Sequence, residues 1–122
     1  MVSRNTLEFV VGLVVAGVVT GGLAMSVALP YALAVGLAAG TPGLVRTSMR
    51  IDREAYVDAK SANEQVLDGA LAAGSTAAVG LVGGYLAIAN GFAGPVASAV
   101  AASVGVFAGQ AAFYLRNGEF VE

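Results

Sequence analysis

Cysteine and histidine are both absent from the 122-residue sequence. Without cysteine the chain has no disulfide, no thiolate nucleophile and no thiolate metal site. Without histidine it lacks the commonest general base and metal ligand. The glycine-rich stretch 80–84 lacks the preceding strand and the lysine of a phosphate-binding loop. We therefore predict a protein without enzymatic activity, without a bound cofactor and without a metal ion.

Charged residues are also scarce. They make up 11% of the sequence, against roughly 25% in ordinary soluble domains. None lies between Phe9 and Val45 or between Gly69 and Leu115. A small soluble domain must cover much of its surface with polar groups, and charges confined to three stretches cannot do so. The composition predicts an integral membrane protein with residues 1–122 as a single membrane domain. The net charge of −2 gives no signature of nucleic-acid binding.

The two uncharged runs predict four transmembrane helices. The runs have 37 and 47 residues, or about 55 and 70 Å as single helices. A hydrocarbon core about 30 Å thick is crossed by roughly 20 residues, so each run suits two crossings. Pro30 and the segment 90–95 interrupt the runs near their midpoints, where proline suits the first turn of a following helix. The predicted fold class is an all-α membrane protein with two antiparallel hairpins, and its helices lie at about 7–28, 30–48, 67–89 and 94–116.

The second predicted helix has the weakest pattern. The residues Gly40-Thr41-Pro42-Gly43 fall inside it. Proline in a helix interior removes a backbone donor and clashes with the preceding turn. We expect Pro42 to kink or end this helix, so its crossing is inferred mainly from the even number of spans.

The charge layout predicts the orientation of the chain. Four crossings place the N-terminus, the connector at about 46–68 and the C-terminus on one side, together with all six basic residues. By the positive-inside rule, this side faces the cytoplasm or the interior of a virion budded from that membrane. The two opposite tips, around Pro30 and around residues 90–95, carry no charge.

The connector is predicted to be polar and partly helical. Ser61 or Asn63 is expected to cap the third span. Ion pairs at i,i+4 spacing are expected between Arg50 and Glu54 and between Lys60 and Glu64. The connector is either a solvated loop or a docking surface for another copy or for another membrane or virion protein. The candidate docking residues on this charged side are Arg46, Arg50, Arg53 and Lys60.

Small residues recur every four positions along the predicted spans. Such stripes let helix backbones approach closely in lipid, where van der Waals contact drives association. Two readings stay open, namely packing within one four-helix bundle and self-association of many copies. The candidate packing residues are Gly12, Ala16, Thr20, Gly36, Gly40, Gly80, Gly84, Ala97, Ala101, Gly105 and Gly109.

The interiors of the uncharged runs contain few strongly polar side chains. Ionisable residues inside membrane spans mark proton relays and ion paths, and their absence from these runs argues against a proton-coupled transporter. Gln110 is the only amide in the fourth span, about a turn from the charged interface. We expect it to reach that interface.

These features together resemble a known family. A short chain free of histidine and cysteine, with four spans rich in alanine, glycine and valine and one charged side, resembles the small unglycosylated membrane proteins of haloarchaeal pleomorphic viruses. The segments 50–56 and 116–119 are consistent with that resemblance. It implies a protein lying in the lipid envelope, facing inward beside a separate spike. It transfers no functional residue. The paired hydrophobic helices also resemble coat proteins of spindle-shaped archaeal viruses.

Three function classes follow from the sequence. The first is a structural membrane protein that packs in many copies, in an archaeal virus envelope or coat. The second is a small pore-forming or holin-like protein, although no polar stripe lines any helix. The third is an accessory subunit of a membrane complex that docks through residues 46–68. The expected partners are membrane lipids and other copies of the chain.

Overall fold

The computed structural model describes residues 3–47, 51–92 and 94–120. Within these residues the fold is all-α, with five helices and one terminal 3₁₀ turn. The helices are α1 (Arg4–Leu23), α2 (Leu29–Arg46), α3 (Arg53–Ala59), α4 (Ala62–Ala89) and α5 (Pro95–Arg116), and the 3₁₀ turn is Gly118–Phe120. The predicted all-α fold class is confirmed.

The long helices form two antiparallel hairpins, α1–α2 and α4–α5. Gly12 of α1 faces Gly40 of α2, and Gly105 of α5 faces Thr76 and Gly80 of α4. α2 lies at the centre, since it packs against α1, α4 and α5. α1 lies at the periphery, with α2 as its main neighbour.

Helix starts differ between the two ends of the bundle. At the charged end, Ser3 caps α1, Asp52 caps α3 and Ser61 caps α4, each by accepting a backbone N–H. Ser61 and Glu64 form a reciprocal capping box, so the predicted cap at Ser61 is confirmed. At the uncharged tips, α2 and α5 have no side-chain cap and instead carry proline in the first turn. Proline removes one of the N–H groups that a cap would otherwise satisfy.

Three of the helices are long and apolar enough to cross a membrane. They are α1, α4 and α5, while the apolar part of α2, Leu29–Val45, is shorter. The bounds differ most from the predicted ones at two places. α1 ends at Leu23, well before residue 28, and a turn leads into α2. α4 begins at Ala62, before the predicted 67, because the capping box starts the helix among polar residues.

Pro42 lies inside α2 and does not end it, since the helix continues to Arg46. Of the two expected effects of Pro42, a kink or an end of the helix, the end is therefore contradicted. The neighbouring Thr41 hydroxyl donates to the Leu37 carbonyl at 2.6 Å, and the ring of Pro42 packs on Gly69 of α4, where an added Cβ would lie 3.0 Å from it. A proline is tolerated in such a helix where neighbouring helices and side chains compensate for the lost hydrogen bond.

The side chains of the core are unevenly distributed along the bundle. Between the long helices, the buried residues are mostly glycine, alanine and threonine. The large buried side chains gather at the charged end instead, where Val45, Ile51, Tyr56, Phe113 and Phe120 form a cluster with Ala72. α3 and the C-terminal 3₁₀ turn therefore complete the core at one end of the bundle.

Candidate functional site at the charged end

The charged residues of the described chain meet at one end of the bundle, in the arrangement that four crossings predict. The start of α1 contacts α3 through an ion pair between Glu8 and Arg53. The start of α4 contacts the end of α5 through an ion pair between Asp68 and Arg116. The connector therefore lies over the ends of three long helices.

Asp68 is the centre of this end. Its side chain is fully buried, and both carboxylate oxygens have partners. Arg116 Nε donates to Oδ1 at 2.7 Å, and the Tyr56 hydroxyl donates to Oδ2 at 3.0 Å. Lys60 Nζ lies 3.6 Å from Oδ2. We call Tyr56, Lys60, Asp68 and Arg116 the Asp68 cluster. A buried carboxylate is tolerated only when its charge and lone pairs are matched, and this cluster meets both requirements.

Tyr56 reaches Asp68 because α3 holds it above the bundle. Its ring contacts Phe113 of α5 at a centroid distance of 5.4 Å and Phe120 at 5.6 Å, the latter edge to face. The Asp52 N–H donates to the Phe120 carbonyl at 2.9 Å, so the C-terminal turn is attached to the connector. These contacts remove water from the Tyr56–Asp68 hydrogen bond, and a hydrogen bond in such surroundings is electrostatically stronger than in water.

A second ion-paired group joins α1 to the connector. Arg53 donates to Glu8 Oε1, and Arg4 Nε lies 3.7 Å from the same oxygen. About a fifth of the Glu8 and Arg53 side chains is exposed. Because this pair is mostly buried, each charge depends on the other for compensation, and the pair fixes the position of α1 relative to the connector.

The four candidate docking residues do not lie together on one exposed surface of the described connector. Arg53 and Lys60 face inward, toward Glu8 and Asp68. Arg46 ends α2, and its side chain, like all of Arg50, lies outside the described residues. The predicted Lys60–Glu64 pair is wrong, because Lys60 turns to Asp68 and the Glu64 carboxylate accepts the Ser61 N–H at 3.1 Å. The predicted Arg50–Glu54 pair also falls outside the described residues. Most exposed charges of the described connector are acidic, namely Asp52, Glu54, Asp58 and Glu64.

The small residues of the predicted stripes lie between helices of the same chain. Gly36 of α2 lies against Ala16 and Thr20 of α1, so close that an added Cβ would overlap the Thr20 side chain. Gly109 of α5 lies in the same way against Thr76 of α4. Of the eleven predicted packing residues, only Thr20 is not classed as buried, and it is half-buried. The stripes serve the interior of the bundle, so they are not available for contacts between copies.

Other glycines face outward. Gly17 and Gly21 on α1 and Gly74 on α4 have no neighbouring atom within 4 Å of an added Cβ. Gly17 and Gly21 lie one turn apart. A small-residue surface of this kind remains free on the peripheral helix.

Comparison with known proteins finds no match to a protein family, to a curated protein or to a solved structure. Functional interpretation therefore depends on the geometry of the chain itself. Among the described residues, no group of three histidine, cysteine, aspartate or glutamate side chains is arranged to hold a metal ion.

The Asp68 cluster was not predicted, although part of it has a signal in the sequence. Asp68 is the last charge before the second uncharged run, and Arg116 is the first charge after it. An antiparallel hairpin returns the chain to its starting level, so these opposite charges must come close. Tyr56 has no comparable signal, since its burial depends on how α3 folds back over the bundle.

Proposed function

We propose that this protein is a non-enzymatic structural component of a lipid membrane, present in many copies, and that this membrane is the envelope of an archaeal virus. Both hairpins are inserted, and α2 is the fourth crossing. The termini and the connector lie on the cytoplasmic or virion-interior side. The viral part of the proposal draws on the resemblance of composition and topology to envelope proteins of haloarchaeal pleomorphic viruses.

The observation that carries the membrane proposal is the chemistry of the outward faces of α1, α4 and α5. Large apolar side chains there are more than half exposed, namely Val11, Val18, Val82, Leu86 and Phe107. Large exposed apolar surfaces are rare on soluble monomers and mark contacts with membranes or with other proteins. In a bilayer the same surface is in contact with lipid tails, and it needs no other cover.

The central position of α2 supports its crossing despite its length. Its 18 residues span about 27 Å at 1.5 Å per residue, close to the thickness of the hydrocarbon core. Its neighbours on three sides are the other long helices, so much of its surface is shielded from lipid. A helix that packs among others tolerates the polar Thr41 and the missing donor at Pro42, which a lipid-facing helix does not.

Single-cysteine labelling tests this topology directly, because the chain has no cysteine of its own. Cysteine is introduced at three exposed positions of the charged end, Asn5, Asn63 and Glu119, and at two exposed tip positions, Ser26 and Phe92. Each variant is labelled with a membrane-impermeant maleimide in sealed and in inverted vesicles. We expect the first three to label from one side and the last two from the other.

Two outcomes would contradict the proposal at different points. Labelling of Asn63→Cys from the same side as Ser26→Cys would show that α2 does not cross. Release of the protein from membranes by alkaline carbonate would show that the chain is not integral. Lysis of the vesicles before labelling is the control, since all five positions must then react.

A further inference from the structure

A groove lies between α1 and α2 at the charged end of the bundle. Its volume is about 300 Å³, the lower end of the range for ligand pockets. It is narrow at its base because Gly12 and Gly40 bring the two backbones together, so that an added Cβ on Gly12 would lie 3.2 Å from the Gly40 carbonyl oxygen. Its apolar wall consists of Leu7, Val11, Val15 and Ala39.

The mouth of this groove carries positive charge. Arg4 lines it and is 83% exposed. Among the described residues, the anion paired with Arg4 is Glu8, which also pairs with Arg53. Two cations thus share one carboxylate, and one positive charge is left over among these three residues. The long contact of 3.7 Å between Arg4 and Glu8 leaves guanidinium donors of Arg4 available for another anion.

We propose that this groove binds one acyl chain of a phospholipid whose anionic headgroup is held by Arg4. The proposal rests on the membrane location proposed above, which places the groove in the hydrocarbon region and Arg4 at the interface. An apolar groove below an exposed guanidinium that is only weakly paired with Glu8 matches the two parts of such a lipid. A second copy of the chain is a poorer occupant, because a helix with its side chains is about 10–12 Å wide and the groove is small.

A second groove at the uncharged end provides an internal comparison. It lies between α4 and α5 and is lined by Gly83, Leu86, Ala87, Asn90, Phe92, Val100 and Val104. No charged residue lines it. Acyl chains can occupy it, but it offers nothing that distinguishes an anionic headgroup from a zwitterionic one. Headgroup preference is therefore expected from the α1–α2 groove.

Native mass spectrometry of the delipidated full-length protein in non-ionic detergent tests the headgroup contact. Phosphatidylglycerol and phosphatidylcholine with identical chains are added separately. A basic residue near an anionic headgroup contributes enough to favour the anionic lipid by about fivefold. We expect this preference in the wild-type protein and in Arg4→Lys, and we expect it to vanish in Arg4→Gln. Equal retention of both lipids by the wild-type protein, or an unchanged preference in Arg4→Gln, would overturn the proposal.

A pair of matched substitutions tests the acyl-chain groove. Ala39→Phe fills the groove, whereas Ala78→Phe adds the same ring to an exposed position of α4 away from it. We expect Ala39→Phe to lose the tightly retained phosphatidylglycerol and Ala78→Phe to keep it. Equal retention of phosphatidylglycerol by the two variants would contradict the site.

Glycerol 3-phosphate, which has the phosphate but no acyl chain, tests whether the chain is needed. It should not displace the lipid, and displacement would reduce the site to an anion contact at Arg4. Carbonate extraction reports separately on membrane integration, so failure of the lipid site is distinguishable from failure of the membrane proposal.

Discussion

At the residue scale, Asp68 balances two large and opposing effects. Removing a carboxylate from water costs several kcal/mol even after the protein relaxes, and attraction to a partner offsets this only with good geometry. Asp68 has two cations and a hydroxyl around it, and the nearest contact, to Arg116 Nε, is 2.7 Å long. Arg116 is two-fifths exposed, so its own burial costs less. The cluster therefore fixes how the connector sits on the bundle, and its net stabilisation is smaller than its number of contacts suggests.

Asp68→Asn is expected to lower the free energy of unfolding. Lys60 and Arg116 lose their shared anion, and the loss of a buried partner of this kind costs about 1–3 kcal/mol. Tyr56→Phe removes only the hydroxyl donor and is expected to cost about 1 kcal/mol. Equilibrium unfolding in mixed micelles, followed by circular dichroism, measures both changes.

The control for these substitutions is Asp58→Asn, at an exposed position of α3. A surface change of this type is expected to stay within about 0.5 kcal/mol of the wild-type protein. If Asp68→Asn were as mild as Asp58→Asn, Asp68 would not organise the charged end.

At the element scale, the helices approach each other by removing side chains from their contacts. α2 presents Gly36 and Gly40 to α1, where they meet the backbones of Ala16 and Gly12. Close backbone approach maximises dispersion contacts, and in lipid these replace the hydrophobic effect as the main source of association. A glycine therefore contributes to helix packing only where a neighbouring helix lies against it.

Two glycine-to-alanine substitutions are expected to change the free energy of unfolding in opposite directions. Gly36→Ala places a methyl group against Thr20 and the Ala16 carbonyl, and overpacking of this kind costs about 1–3 kcal/mol. Gly17→Ala meets no atom within 4 Å. It should stabilise α1 by up to about 1 kcal/mol through helix propensity. Unfolding of the two variants side by side measures the difference, and an equal effect of both would contradict the α1–α2 contact.

At the scale of the whole molecule, the two hairpins form one bundle because α2 belongs to both interfaces. It packs against α1 within its own hairpin and against both α4 and α5 of the other hairpin. α1 remains peripheral, and its outer face carries exposed Val14 and Val18 beside Gly17 and Gly21. If copies of the protein pack together, this face offers the closest backbone approach left after the bundle is formed.

Disulfide trapping tests packing between copies. Val18→Cys lies on the outer face of α1, and Val82→Cys is a matched exposed valine on α4. In oxidised native membranes we expect more dimer from Val18→Cys than from Val82→Cys, and we expect this preference to survive dilution with excess lipid. Similar dimer yields that fall on dilution would indicate random collision of monomers.

Quantification of the protein in purified virus particles and in host membranes tests the viral part of the proposal.

Much of the element order was predictable from the sequence. Pro30 and Pro95 lie in the first turns of helices, Ser61 caps α4, and the charges gather at one end. Each of these features depends on local backbone chemistry or on the length of an uncharged run. Whether Pro42 ends its helix was not predictable, because the effect of this proline depends on the neighbours of α2. Lys60 was assigned to Glu64 by spacing alone, whereas Asp68 offered a buried partner that no local pattern shows. Phe113 is likewise buried against Tyr56, a contact that depends on how α3 folds back over the bundle.

By itself, the sequence determined the all-α fold class and the pairing of its long helices as hairpins. Two runs without charge, glycine and alanine every four positions, and proline at the tips specify apolar helices paired as hairpins, since hydropathy and backbone sterics act along the chain. The tertiary structure decided which helix lies at the centre, which glycines meet a neighbour and which face outward, and how Asp68 came to be shared by Tyr56, Lys60 and Arg116. These outcomes depend on which surfaces meet, and helices built from glycine, alanine and valine are too similar in sequence to specify that in advance.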